Sequence, residues 1–252
     1  MHEYVRCVKQ DTRGWKLSPG CSPWFRGQSD SRMPPLPGIF RPATDIEEVA
    51  IAGRFKKLAR MFGETPSRDM NDEWLYLMQH VGIPTRLLDW SEGALIGLYF
   101  AVRSASESVD PCVWLVHPLK LNEATIGEDS FPEADHDAFI RRCDLAFGKA
   151  RGAPRDLRWP IAIIPTYIHP RMRSQRGCFT LHGASPDNFE CIAREAGLID
   201  KGYFRKYRIP CELALEMLRD LRVLGITHST LFPDQDGLAI DLKQAFREQK
   251  SQ

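Results

Sequence analysis

The apolar pattern changes character about halfway along the chain, and that change narrows the folds open to it. From Thr44 to Val102 the large apolar residues recur at helical spacing. From Cys112 onward, short runs rich in branched and aromatic residues alternate with helical stretches. Helices first and strands later, without a regular strand–helix–strand repeat, predict an α+β domain rather than a doubly wound parallel sheet. The 252 residues, 43% of them hydrophobic and 27% charged, suffice for one large core. No internal repeat or linker interrupts them, so a single domain with its core at about 20–245 is expected.

Individual segments refine this outline. Residues 1–23 read as an edge strand or irregular lead-in, and Trp24–Arg26 as a short strand or turn. Pro34, Pro35, Pro37 and Pro42 hold Met33–Pro42 extended. A capping signal at Thr44–Glu48 opens a helix to about Phe62. A second helix runs from about Met70 to His80 and stops at Gly82 and Pro84. A third starts at Ser91 and Glu92, and its small strip of Ala94, Gly97 and Ala101 lets another backbone come close. Strands are expected at Cys112–His117, Ile161–Pro165, Gly177–Leu181, about Arg205–Pro210 and Ile226–Phe232. Helices are expected near Asp137–Lys149, at Ser185–Ile199, at Cys211–Leu224 with Gly225 as its stop, and at Gly237–Glu248 capped by Asp236.

A formal net charge of +1 advertises no overall field for nucleic acid or membrane. Ala94–Val102, the longest apolar stretch, is too short to span a bilayer, and the opening MHEYVRCVKQ lacks a secretion pattern. The seven cysteines are scattered, with no C-x-x-C pair. They point to reduced thiols and a cytoplasmic location, and away from a zinc site or a disulfide framework, while the short apolar stretch points to no membrane partner.

Three segments carry residue types suited to chemistry. In WFRGQ, Arg26 offers a fork of donors for phosphate or carboxylate, Gly27 allows a sharp turn that presents its amide, and Gln28 adds a donor and an acceptor. The alternative for Arg26 is a salt bridge. In QHVGIPTRLLDW, Gln79 to Trp90, Thr85 can cap a helical turn whose amides form an anion site. Arg86 and Asp89 can pair three apart on one helical face, and His80 can carry a proton. The alternative is a structural ion pair and a helix-ending histidine. HPRMRSQRGCFTLHG, His169 to Gly183, brings Arg171, Arg173, Arg176 and Gln175 to a strand carrying Thr180 and His182, and suits phosphate oxygens or an ordinary charged loop. In LFPDQDG, Asp234 is a turn former or a catalytic carboxylate.

WFRGQ, QHVGIPTRLLDWSEGALIGLYFAV, SQRGCFTLHG and LGITHSTLFPDQDGLA, in that order, resemble the FRG domain, a bacterial and phage-associated family named for its Phe-Arg-Gly motif. The family's Arg-Gly, His, Thr-Arg-Leu-Leu-Asp-Trp and Gln-Arg-Gly-x-Phe-Thr positions fall here on Arg26–Gly27, His80, Thr85–Trp90 and Gln175–Thr180. Ser91 stands where the family usually has Thr. The resemblance implies a single-domain protein of a mobile element, toxin or defence locus, with a neutralising partner protein as one possibility.

A looser resemblance is to ADP-ribosyltransferases of the arginine-serine-glutamate type. It implies a split, mainly antiparallel sheet with the N-terminal helical part packed on it. It also implies NAD as substrate and a nucleic acid or protein as acceptor. Arg26, His80, Thr180 and Asp234 would be the catalytic residues, and Gly27, Gln28, Gln79, Thr85, Arg86, Asp89 and Gln175 would bind the nucleotide, with Asp89 holding Arg86. No Glu-x-Glu or Gln-x-Glu sits at a strand end, so Asp234 or Glu212 would have to serve as the acid. Two other readings use the same residues. One is a nucleic-acid-binding module working through Arg86, Arg171, Arg173 and Arg176, and the other is a nuclease holding a metal with His80, Asp89 and Asp234.

Overall fold

A computed structural model describes residues 1–149, 157–165 and 170–249. His169, which opens the basic segment, lies outside them. Among the described residues, six strands form one sheet: β1 (Trp24–Gln28), β2 (Leu87–Ser91), β3 (Cys112–Val116), β4 (Ile161–Ile163), β5 (Gly177–Leu181) and β6 (Phe204–Arg208). Their order is β4-β5-β2-β1-β3-β6, and every neighbouring pair is antiparallel. The mixed α+β class stands. The mainly antiparallel sheet stands as well; it is one six-stranded sheet among the described residues, with β1 and β2 in its middle.

Helices cover both faces. They are α1 (His2–Thr12), α2 (Glu48–Leu58), α3 (Asn71–His80), α4 (Ala94–Val102), α5 (Pro118–Ile126), α6 (Asp137–Ala146), α7 (Pro170–Ser174), α8 (Phe189–Glu195), α9 (Ala214–Val223), α10 (His228–Leu231) and α11 (Gln235–Gln249). Strand alternation sends Phe25 and Trp24 to opposite faces. Phe25, Val113 and Leu115 pack with Leu98 of α4, Leu221 of α9 and Tyr4 of α1. Trp24, Trp90 and Trp114 pack on the other side with Phe189 of α8. A third cluster joins Leu87, Phe179, Leu181 and Ile161 to Leu75 of α3 and Phe139 of α6. None of the helices among the described residues is long and apolar enough to cross a membrane.

The contact that sets the middle of this arrangement is between β1 and α4. A Cβ on Gly27 would lie 2.1 Å from the Gly97 carbonyl oxygen and 2.3 Å from the Ala101 amide nitrogen. A Cβ on Gly97 would lie 2.7 Å from Cβ of Phe25. Both glycines are therefore steric requirements, and the small-residue strip of α4 lies against a strand. Gly27 is needed for close packing of a helix, not for the sharp turn its sequence context suggested.

Four local expectations are corrected. The lead-in is helical over His2–Thr12, because Tyr4 and Val8 at i, i+4 spacing bury against the sheet and the Tyr4 hydroxyl donates to Ala94 O at 2.8 Å. The segment after Pro84 is a strand, not a helical turn, because β5 pairs it from Leu87 to Ser91 and α4 begins only at Ala94. Ladder pairing here overrides weak local preference. Within Ile226–Phe232 a short helix replaces the expected strand, its Thr227 hydroxyl accepting from Thr230 N and its Thr230 hydroxyl from Thr227 N. The last helix starts at Gln235 and is capped by Asp234, which accepts from Gly237 N at 2.8 Å; Asp236 lies inside its first turn.

Gly27→Ala should therefore lower stability by about 3 kcal/mol or more, since its methyl meets backbone that no rotamer change can move. Urea denaturation measures this, and an unchanged midpoint would show that α4 can retreat from the strand freely.

Candidate functional site

β1 and β2 are registered at a single pair, Phe25 with Ser91. Beyond it the two strands part, and a cleft of about 680 Å³ opens between them. That volume is within the range of small-molecule sites. Arg26, Gln28, Asp89 and Ser91 line it from the strands. The proline arm supplies a second wall through Met33, Leu36 and Arg41, and Phe100, Arg103 and Gln175 complete the rim. Proline has no N–H for a ladder, so the arm cannot join the sheet. It is tied instead by carbonyl and amide contacts: Phe189 N donates to Pro35 O at 3.0 Å, and Ile39 N donates to Thr85 O at 3.2 Å.

Arg26 bridges the parted strands. Its Nη1 donates to the Asp89 carbonyl at 2.8 Å, while the Asp89 carboxylate stands 3.7 Å away. The arginine side chain is 12% exposed, and its buried Nε has no hydrogen-bond partner. Burial disfavours its positive charge and lowers its pKa; the Asp89 carboxylate acts against that shift and Arg41 reinforces it. Both Asp89 carboxylate oxygens accept from Gln79 Nε2 at 2.9 Å. Gln79 is oriented by Thr85, whose hydroxyl donates to Gln79 Oε1 at 2.5 Å and accepts from Leu87 N at 3.1 Å. Gln28 accepts from Trp114 Nε1.

The cleft carries an excess of positive charge. Asp30, its other carboxylate, is engaged bidentately by Arg32. Arg41 donates to the Leu36 carbonyl, and Arg103 lies over the rings of Phe100 and Phe232 at 5.2 and 5.3 Å. Neither has an ion-pair partner among the described residues. Residue identity alone did not reveal Arg41 and Arg103. The position of Arg41 between aromatic and proline at the end of the arm was a usable signal, whereas Arg103, just after α4, offered none.

Other expected site residues lie elsewhere. Arg86 is buried and pairs with Glu48 of α2, its Nε donating to Glu48 Oε1 at 3.0 Å and its Nη2 to Oε2. Its Nη1 donates to the carbonyls of His182 and Gly183 at 3.2 and 2.9 Å. It does not pair with Asp89, because residues three apart point to opposite faces once the segment is a strand. Thr180 is fully buried; its hydroxyl accepts from Trp90 Nε1 at 3.1 Å and lies 3.3 Å from His182 Nε2. Asp234 caps α11 and takes Arg171 Nε at 2.7 Å, away from the cleft, which Glu212 does not line either. Arg176 faces Glu92 at 3.5 Å. His80 sits in an adjoining recess of about 140 Å³ that shares Asp89, Trp90 and Gln175 with the cleft.

Asp110, Cys211 and Glu212 form the one group of three potential metal ligands found among the described residues. The trio His80, Asp89 and Asp234 is not brought together. Residues 22–110 match the FRG domain family, a span that contains Arg26, Gly27, Gln79, Arg86, Asp89 and Gly97. No curated protein and no solved structure matches the chain.

Arg86 and Arg26 should respond differently to removal of one charge. Glu48→Gln strands the Arg86 charge and should cost about 3–5 kcal/mol. Arg26→Met removes a desolvated charge whose one counter-charge, Asp89, is largely exposed at 3.7 Å, and should cost less than about 1 kcal/mol. Chemical denaturation of both variants checks the contrast, and equal losses would contradict it. His182 provides a pH test. Burial, with the charges of Arg86, Arg26 and Arg142, pushes its pKa from 6.5 down to about 3. Between those values the unfolded chain binds a proton that the folded one refuses. This group's contribution is thus complete above pH 6.5 and is lost as pH falls toward 3, at up to about 1.4 kcal/mol per pH unit. His182→Gln should flatten that part of the stability–pH curve.

Proposed function

We propose that this FRG-domain protein binds a phosphorylated nucleotide in the cleft beside Arg26 and transfers ADP-ribose from NAD to a nucleic-acid or protein acceptor. The observation that carries the reading is the Arg26 guanidinium, desolvated, with an unpartnered Nε and its one carboxylate, Asp89, at 3.7 Å, in a cleft where Arg41 and Arg103 lack acidic partners. A buried guanidinium with an unpartnered N–H costs free energy, and a phosphate delivered to it offsets that cost through charge-assisted hydrogen bonds. Phe100, Leu36 and Met33 give the same cleft apolar surface for a base or a nicotinamide ring.

Asp89, rather than Asp234, is the carboxylate suited to the chemistry, since it lines the cleft and stands 3.7 Å from Arg26. In the transfer, the bond from ribose C1′ to the nicotinamide nitrogen breaks and its electron pair leaves with neutral nicotinamide. An oxygen or nitrogen of the acceptor then bonds to C1′ and gives up its proton. The ribose passes through an oxocarbenium-like state, which an adjacent carboxylate stabilises. Gln79 and Thr85 act as positioning residues that hold the Asp89 carboxylate. Arg86 and Thr180 have no part beyond supporting the fold. A toxin or defence role, and a neutralising partner, follow from the family resemblance.

Titration with NAD in a calorimeter, followed by incubation with radiolabelled NAD and candidate acceptors, tests the reading. Arg26→Ala should weaken binding by roughly 10- to 100-fold. Asp89→Asn should retain binding and lose transfer. If NAD does not bind, and neither hydrolysis nor transfer exceeds that of Arg26→Ala, the proposal fails.

A further inference from the structure

Past Arg103 lies a second pocket of about 290 Å³, bounded by α4, α9, α10 and α11. Arg103 and Ser104 line both this pocket and the cleft, so the two cavities are neighbours along one surface. Its chemistry centres on His228. The imidazole is stacked on Phe232, with centroids 4.4 Å apart and planes within 10°, and its Nδ1 lies 2.9 Å from the Tyr99 hydroxyl. When Nδ1 accepts the Tyr99 hydroxyl proton, the imidazole's own proton sits on Nε2. That nitrogen has no protein partner among the described residues.

The remaining lining suits an anion. Arg103 and Arg222 bring positive charge, and Ser104 and Thr227 bring hydroxyls. The one carboxylate present, Asp241, is already committed: its two oxygens accept from the backbone amides of His228 at 3.1 Å and Ser229 at 2.8 Å. Guanidinium forks, hydroxyls and an imidazole donor around a space of this size suit the oxygens of a phosphate group. At about 290 Å³ the pocket has room for a phosphate ester.

We propose that this pocket is a second phosphate subsite, in which Arg103, Arg222 and His228 hold a phosphate ester of a ligand whose other phosphate lies in the cleft at Arg26. The bridging rests on the nucleotide reading of the cleft, whereas the subsite does not. The phosphate is either the second one of a bisphosphorylated nucleotide or the 5′-phosphate of a nucleic-acid strand, and the same donors would serve both.

Histidine ring resonances in isotope-labelled protein provide the test, with the His228 signal assigned by its loss in His228→Gln. Inorganic phosphate should shift that signal saturably in the wild type and equally in Arg26→Gln, and Arg222→Gln should weaken the response about tenfold. A His228 signal unmoved by phosphate in folded wild-type protein overturns the subsite. In the second arm, adenosine 3′,5′-bisphosphate should bind at least about tenfold more tightly than AMP, and Arg222→Gln should erase the advantage while leaving AMP binding as it was. No advantage in the wild type overturns the bridging. A 5′-phosphorylated dinucleotide against its unphosphorylated form supplies the third arm, and whichever pair shows the larger gain identifies the source. A phosphate response that persists in Arg26→Gln, with no nucleotide binding to wild-type protein, would sink the cleft reading and leave the subsite standing.

Discussion

With no side chain on Gly27 and none on Gly97, the backbone of α4 lies directly against β1, closer than any other residue pair would permit. Everything at the centre of the molecule follows from this approach. It presses Phe25 into the core beneath α4, and it fixes the strand that carries Arg26. Phe25 also makes the single registered pair with β2, so the point at which the two strands part is set by the same packing. The Arg-Gly dipeptide thus joins two demands: glycine for the helix on one face, and arginine for the gap that opens on the other.

The gap gives the protein its unequal arginines. Arg86 is more deeply buried than Arg26, yet it has Glu48 against it and two carbonyls besides, so its charge is satisfied within the fold. Arg26 has one carbonyl, an unpartnered Nε, and a carboxylate that Gln79 already holds. A fold that needed only a structural cation there could have closed the strands around it. Keeping the pair apart, and walling the space with prolines that cannot complete a ladder, preserves an opening where electrostatic demand is unmet. Arg41 and Arg103 enlarge that demand from two other elements.

Where an element carries its own signal, the sequence was a sound guide. The helix at Asn71–His80 and its end at Gly82, where φ is +83°, were legible because periodicity and a glycine stop are local properties. The strands at Cys112–Val116 and Gly177–Leu181 were legible for a similar reason, since branched and aromatic runs have little other use. Leu87–Ser91 was misread because Leu-Leu-Asp-Trp-Ser has no strong strand preference and lies beside a helix-breaking signal; its strand state comes from β5. The error carried over to the site, since a helical turn would have paired Arg86 with Asp89 and a strand separates them. Thr180 and Asp234 were misplaced because a residue's type does not say which face of a strand or which end of a helix it serves.

By itself, the sequence determined the residue types at the cleft, the extended stretch Pro34–Pro37, though not the 3-10 turn Gly38–Phe40 that follows it, and a mixed α+β composition, all of which depend on covalent geometry and local patterning. Only the tertiary structure decided which arginine is satisfied and which is not. Burial and partnership are properties of residues far apart in the chain, as Glu48 is from Arg86 and Asp89 from Arg26, and no local window contains both members of such a pair.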